Sequence, residues 1–221
     1  MNSVLGLFAK WPEPGKVKTR LARHIGPGQA AALALAMVQD TLAFLYPLKC
    51  SKILLFTPQE KQSDFSQLAG KNWQLRLQSA GDLGQRLGDF FTSFPGRTIA
   101  FGADSPTYPP GQIEKAFDLL QSSLGVLGPA LDGGCCLIGY RDFQNSFLDQ
   151  VPWSTNAVLE SLVKNLQKAG IQPVLLPTGF DVDEMEDLHR LADSIREMKA
   201  ANLDPLPQHT LAFLREARLI P

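Results

Sequence analysis

Lys10, Lys16, Lys18 and Arg20 crowd the proline-broken segment KWPEPGKVKTRLA (10–22), directly after the apolar run VLGLFA (4–9). A buried strand over that run gives the segment a rigid start. Thr19 and the backbone N–H groups around Gly15 add uncharged donors to the cations. After Arg20 the pattern turns helical and stays so to about Leu45, so a helix N-terminus is expected to add its own positive end. Exposed cations at such an end cost roughly 0.3–1 kcal/mol each, a penalty that an anionic guest would offset. Phosphate is the expected guest, with a plain solvated loop as the alternative. Pro12 and Pro14 restrict the loop and lower the entropy lost when a ligand orders it. The segment is not a Walker A loop: Gly15-Lys16 is followed by Val17, and the earlier glycine of that motif is missing.

Carboxylates recur at other loop positions. In FGADSPTYPP (101–110), Asp104 closes an apolar run before Ser-Pro turns the chain. It is placed either to bind a hard cation such as Mg2+ or to cap the next helix. In TGFDVDEMEDL (178–188), Asp181 and Asp183 can both face a metal-diphosphate, or either can cap the helix that begins near Glu184. In SAGDLGQRL (79–87), Gly81 and Gly84 bracket Asp82, which suits close approach to a base or sugar, or simply a turn. Asp132 with Gly133-Gly134, inside GPALDGGCCLIG (128–139), is a strong turn signal that could also set a carboxylate at a site's edge. Trp153, Ser154 and Thr155 offer an indole face and two hydroxyls, or a helix cap beside a buried Trp.

The elements that must position these loops alternate regularly. Strand-like runs at 4–9, 52–58, 73–79, 97–104, 123–130, 134–140 and 171–177 are interleaved with helical patterns at 28–45, 61–69, 83–94, 110–121, 156–169, 184–198 and 208–217. Such alternation predicts an α/β fold with a mainly parallel central sheet. The two runs on either side of residue 130 leave no room for a long helix, so an antiparallel or crossing strand is expected there. No linker interrupts the pattern, and residues 1–221 read as a single domain. In open parallel sheets ligands sit beyond the carboxyl ends of the strands, where all the loops above would lie.

The 221 residues suffice for a full core, and a net charge of −1 argues against nucleic acid as the main partner. No apolar run is expected to reach the length of a membrane span, and no signal-peptide pattern opens the chain, so the cytoplasm is the expected location. Cys50 stands alone, while Cys135 and Cys136 are adjacent within CCLIGY. Neither arrangement has metal or disulfide spacing, and Cys135 and Cys136 read as packing residues, with a reactive thiol as a distant alternative.

Taken in order, FAKWPEPGKVKTRLA, GDLGQRL, GADSP, GPALDGGCCLIG, PWST and DVDEMEDL resemble a bacterial group of glycosyltransferase-like, or nucleotide-diphospho-sugar transferase, proteins of the GT-A superfamily. That group is similar to the 2-phospholactate guanylyltransferases and, more remotely, to the molybdenum cofactor guanylyltransferases. The match runs to about Leu191, and KTRLA with AALALAMVQDTLAFL is its most specific part. Cys135 and Cys136 depart from it, since the group usually has aromatic residues after Asp-Gly-Gly. The resemblance implies a Rossmann-like GT-A three-layer sandwich that binds a nucleotide triphosphate or nucleotide-sugar with Mg2+ or Mn2+ and acts on a small-molecule acceptor. On it, Lys18 and Arg20 would hold phosphates, with Lys10, Gly15 and Thr19 beside them. Asp104 and Asp183 would ligate the metal, and Gly81 and Asp82 would line the base or ribose. Asp132, Gly133, Gly134, Trp153, Ser154 and Thr155 would face the acceptor.

Overall fold

The computed structural model describes residues 3–218. Seven strands form one sheet: β1 (Ser3–Lys10), β2 (Ser51–Thr57), β3 (Gln74–Leu77), β4 (Arg97–Gly102), β5 (Gly125–Pro129), β6 (Cys135–Arg141) and β7 (Val174–Leu175). Their order is β3-β2-β1-β4-β6-β5-β7. β6 runs antiparallel to both of its neighbours, and every other pairing is parallel. The antiparallel strand expected beside residue 130 is therefore β6. It follows β5 through a turn too short for a crossover helix, which only an antiparallel partner permits.

The helices are α1 (Ala22–Ile25), α2 (Pro27–Leu45), α3 (Gln62–Ala69), α4 (Leu83–Ser93), α5 (Pro110–Leu119), α6 (Val158–Lys168), α7 (Met185–Ala200) and α8 (Gln208–Glu216). They cover both sheet faces, because consecutive side chains of each buried strand point to opposite sides. Leu5, Leu7, Leu54, Phe56, Ile99 and Phe101 pack with Val38 and Leu42 of α2, Phe65 of α3 and Ile113 of α5. The alternate residues Val4, Ile53, Leu55, Ala100 and Ile138 pack with Phe90 and Phe91 of α4 and Leu162 of α6. A third core joins Leu33 and Met37 of α2 to Leu188, Leu191 and Ile195 of α7 and Leu211 and Leu214 of α8. Leu21, fully buried, belongs to that cluster and anchors the end of the basic loop in it.

Two sequence expectations change. The helix is not continuous from Arg20: α1 lasts one turn, and Gly26 at φ 84° breaks it before Pro27 opens α2. Glycine takes that left-handed angle without a side-chain clash, and proline tolerates the first position of a helix. The basic loop thus leads into a short turn and not into the amino end of a long helix, so the dipole contribution expected there falls away. In addition, α2 is long and apolar enough to cross a membrane by length and composition, contrary to the expectation of no such run. Yet 67 % of that stretch is buried inside the protein, as in a core helix.

Candidate functional site

The chain reverses its strand order beside β1: β2 and β3 lie to one side of it, and β4 follows on the other. In doubly wound sheets the crevice outside the carboxyl ends of the strands at such a reversal is the usual binding place. There the loop after β1 meets the loop after β4 and the segment before α7. The Val182 backbone N–H donates to the Asp104 carbonyl at 3.1 Å, and the Ser105 hydroxyl donates to Asp181 Oδ1 at 2.5 Å. Buried Val182 and these two bonds hold the Asp-Val-Asp triplet against Asp104.

Lys18 crosses the junction. Its ammonium lies 2.5 Å from Asp104 Oδ1 and 3.0 Å from Asp183 Oδ1, with only 5 % of its side chain exposed against 53 % and 51 % for the two aspartates. Burial by itself would depress the ammonium's pKa, but the adjacent negative charges of Asp104 and Asp183 outweigh it and raise the pKa above the usual lysine range. The lysine is charged at any physiological pH. Its backbone is left-handed, at φ 46°, a conformation that costs a non-glycine residue about 1–3 kcal/mol unless its surroundings impose it. The resemblance gave Lys18 to the phosphates and Asp104 and Asp183 to the metal. The structure joins them.

The other cations of the loop are less engaged with this centre. Lys10 Nζ donates to the Lys16 carbonyl at 2.8 Å, and Lys16 pairs with Glu13 at 2.6 Å. Arg20 pairs with Glu184 at 3.1 Å, both largely exposed, an arrangement worth at most about 1 kcal/mol. Gly15 turns the loop at φ 79°, and Thr19 lies in the turn before α1.

Two cavities share the Asp104 and Asp183 wall. The smaller, of about 210 Å3, is lined by Lys10, Lys16 and Lys18 together with Val17 and Val38. The larger, of about 580 Å3, takes in Arg20, Asp132, Gly134, Trp153, Ser154 and Thr155, and adds Asp181, Cys135 and Cys136. Gly81, Asp82 and Gly133 do not line it. Asp82 caps α4: its Oδ1 accepts the Gln85 N–H at 2.9 Å, and Gln85 Oε1 accepts the Asp82 N–H at 2.9 Å. Gly133 shapes the turn before β6, at φ 86°, and a Cβ there would fall 2.1 Å from the Asn156 carbonyl oxygen. Asp132 closes the same turn by accepting the Gly134 N–H at 2.8 Å. Trp153 lies over the start of α4, where a Cβ on Gly84 would meet its Nε1 at 2.3 Å. Thr155 Oγ1 donates to the Pro152 carbonyl at 2.7 Å and accepts the Ala157 N–H at 3.2 Å, so its hydroxyl serves the turn into α6.

Asp181 is the residue that the sequence reading singled out but did not place in the site. Burial first, and the charge of Asp104 second, push its carboxyl up to about 6, while the Ser105 hydroxyl and Lys18 oppose the rise. Burial also raises both adjacent thiols, Cys135 to about 12 with help from Asp132, so neither is a thiolate at neutral pH and both remain packing residues. Neither Asp181 nor Asp183 caps α7. The Asp183 and Glu184 N–H groups donate instead to Asp187 Oδ2, at 3.1 and 3.0 Å.

Among the described residues, no three carboxylate, thiol or imidazole groups converge as a metal cage. Asp104 and Asp183 do converge on one cation-sized position, with oxygen donors half open to solvent. That donor set fits a hard divalent ion, which takes one or two carboxylates and completes its shell with water and phosphate oxygens.

A search of curated proteins returns no match. Among solved structures, a protein of Desulfovibrio desulfuricans G20, named provisionally as a nucleotide-diphospho-sugar transferase, is 32 % identical. It superposes with a TM-score of 0.88 over 99 % of this chain and 96 % of that one. CMP:2-keto-3-deoxy-manno-octonic acid synthetase complexed with CTP is 14 % identical, with a TM-score of 0.57 over 92 % of this chain and all of the other. Rv0371c of Mycobacterium tuberculosis H37Rv in complex with manganese is likewise 14 % identical, with a TM-score of 0.53 over 87 % of this chain and all of that one. These last two establish a shared fold. The family model described as an uncharacterized protein conserved in bacteria matches residues 41–155, more than half of the chain, and the chain belongs to that family, DUF2064.

Proposed function

We propose that the protein is a divalent-metal-dependent transferase acting on a nucleotide, and that its reaction is nucleotidyl transfer to a small phosphorylated acceptor. The observation that supports it most is the meeting of Lys18, Asp104 and Asp183 at the strand-order reversal, between a lysine-lined cleft and a larger cavity. In this reading the acceptor's oxygen bonds to the α-phosphorus, the bond to the bridging oxygen breaks, and pyrophosphate leaves with that electron pair. Lys18, with Lys10 and Lys16 beside it, meets the phosphate charge, and Arg20 contributes from the larger cavity. Asp104 and Asp183 would hold Mg2+ or Mn2+, which supplies charge neutralisation on the phosphates. Gly81 and Asp82 belong to the nucleotide side of this proposal, and Asp132, Gly133, Gly134, Trp153, Ser154 and Thr155 to the acceptor side. The nucleotide-diphospho-sugar transferase named for the Desulfovibrio protein, the CTP complex of the synthetase and the manganese complex of Rv0371c accord with it. Kinship with the 2-phospholactate guanylyltransferases and a cytoplasmic location are parts of the same proposal.

Glycosyl transfer is the second reading, favoured by one observation. The larger cavity carries Asp104, Asp132, Asp181 and Asp183 but, among the described residues, one cation, Arg20. Such a lining suits a neutral sugar acceptor better than a phosphate. An acceptor hydroxyl would then attack the anomeric carbon, with Asp132 as the available base, and the nucleoside diphosphate would leave. Incubating the protein with a panel of nucleotides, nucleotide-sugars and acceptors, with Mn2+, separates the readings. Pyrophosphate release supports the first and nucleoside diphosphate release the second. Tight nucleotide binding without turnover overturns both in favour of a binding module.

A further inference from the structure

We propose that Lys18 is a resident counter-ion that holds the metal position closed in the ligand-free protein and opens it only when a phosphate draws the ammonium away, so that nucleotide and metal enter together. The inference rests on the transferase reading above and adds a binding order to it. The first support is coincidence of position. The ammonium lies within hydrogen-bond distance of the Oδ1 atoms of both Asp104 and Asp183, the same pair that would ligate the metal. A divalent ion on those oxygens would stand in contact with the ammonium, and like charges at contact repel strongly even at a protein's effective dielectric.

The second support is a place for the ammonium to go. The smaller cleft is lined by Lys10, Lys16 and Lys18 and shares the Asp104 and Asp183 wall with the larger cavity. A phosphate entering this cleft offers Lys18 oxygen acceptors in exchange for the carboxylates it leaves. Asp104 and Asp183 then keep their charge and their exposure, and are free for the divalent ion. The third support is the backbone. Lys18 sits at φ 46° in a loop anchored at the buried Leu21, so the residue is held in an uncommon conformation where its side chain makes two ion pairs.

The test uses Mn2+ alone on nucleotide-free protein, with bound ion read from the electron paramagnetic resonance of free Mn2+ and from calorimetry. Lys18→Met is expected to bind Mn2+ about tenfold or more tighter than the unaltered protein, and adding Asp104→Asn to that variant is expected to remove the gain. Equal affinity of the two proteins overturns the lock while leaving the two-carboxylate site, and the transferase reading, standing. Absence of Mn2+ binding in the Lys18→Met variant overturns the metal site and the lock together. Should thermal unfolding show that Lys18→Met does not fold, Lys18→Gln takes its place, since its amide still donates to a carboxylate. A gain in Mn2+ affinity is expected there too, and parity with the unaltered protein again overturns the proposal.

Discussion

The ammonium of Lys18 stands 3.0 Å from Oδ1 of Asp183, which lies 165 positions further along the chain. The pair closes the ring between the first loop and the segment before α7, and Asp104 completes it from the loop after β4. A buried cation shared by two half-exposed carboxylates has an asymmetric consequence. Loss of either carboxylate leaves the other to neutralise Lys18, whereas loss of both strands a buried charge.

Asp104→Asn is therefore expected to fold, with an unchanged far-ultraviolet circular dichroism spectrum. Its Mn2+-dependent affinity for a nucleoside triphosphate is expected to drop about tenfold or more, because one of the two charged oxygen donors becomes a neutral amide. Calorimetric titration with and without Mn2+ reads the difference. Retained metal dependence at unaltered affinity would remove Asp104 from the metal assignment.

Asp40 tests the packing that holds α7 and α8 in place. It is 2 % exposed, and its two carboxylate oxygens accept the N–H groups of His209 and Thr210, at 2.9 and 2.7 Å, so one side chain on α2 caps α8 from across the third core. Asp40→Ala leaves two backbone donors without their acceptor and is expected to cost about 2–4 kcal/mol in urea unfolding. A loss below about 0.5 kcal/mol would mean that the cap is dispensable.

Gly133 and Gly15 share a left-handed backbone but not their surroundings. A Cβ at Gly133 would fall 2.1 Å from the Asn156 carbonyl oxygen, whereas one at Gly15 meets no atom of the described residues within 4 Å. Gly15→Ala is expected to cost about 1–2 kcal/mol, the conformational penalty alone. Gly133→Ala has to displace backbone at the start of α6 as well, so its thermal midpoint should fall further than that of Gly15→Ala. Equal losses would show that the turn beside Asn156 yields freely.

Tyr140 gives a contrary expectation. Its ring is fully buried among Phe91, Phe143 and Phe147, and among the described residues its hydroxyl has no hydrogen-bond partner. Tyr140→Phe keeps the aromatic contacts and removes an unsatisfied polar atom, so it should be neutral or stabilising, by up to about 1 kcal/mol in chemical denaturation. A clear destabilisation would point to a bound water or partner for that hydroxyl.

Hydrophobic periodicity made the strand and helix alternation legible, together with the antiparallel strand after residue 130. It did so because burial on two sheet faces writes apolar residues into every strand. The turn chemistry of Asp82 and Asp132 was legible only as a pair of alternatives. Capping and ligand binding draw on the same residue types, and only the folded chain shows Asp82 accepting the Gln85 N–H and Asp132 the Gly134 N–H. The helix from residue 28 was expected, but the separate one-turn α1 before Gly26-Pro27 was not, since four residues are too few to carry a periodic pattern of their own. Asp181 stayed unassigned because nothing local separates it from Asp183. One is half-buried and accepts the Ser105 hydroxyl, while the other pairs with Lys18, a difference made by residues far away in sequence.

By itself the sequence determined which groups were available and on which loops they lay: cations after the first strand, Asp104 after the fourth, and the Asp-Val-Asp triplet before the α7 helix. These follow from local pattern, because strand ends and turn residues are marked within a few positions of themselves. Only the tertiary structure decided that Lys18 belongs to the carboxylates as an ion pair. The position of its ammonium depends on the sheet order that brings β1 beside β4, on the third core that presses Leu21 and Val182 together, and on a backbone bond from Val182 to Asp104. None of those contacts is local, and Coulomb attraction acts on distance in space.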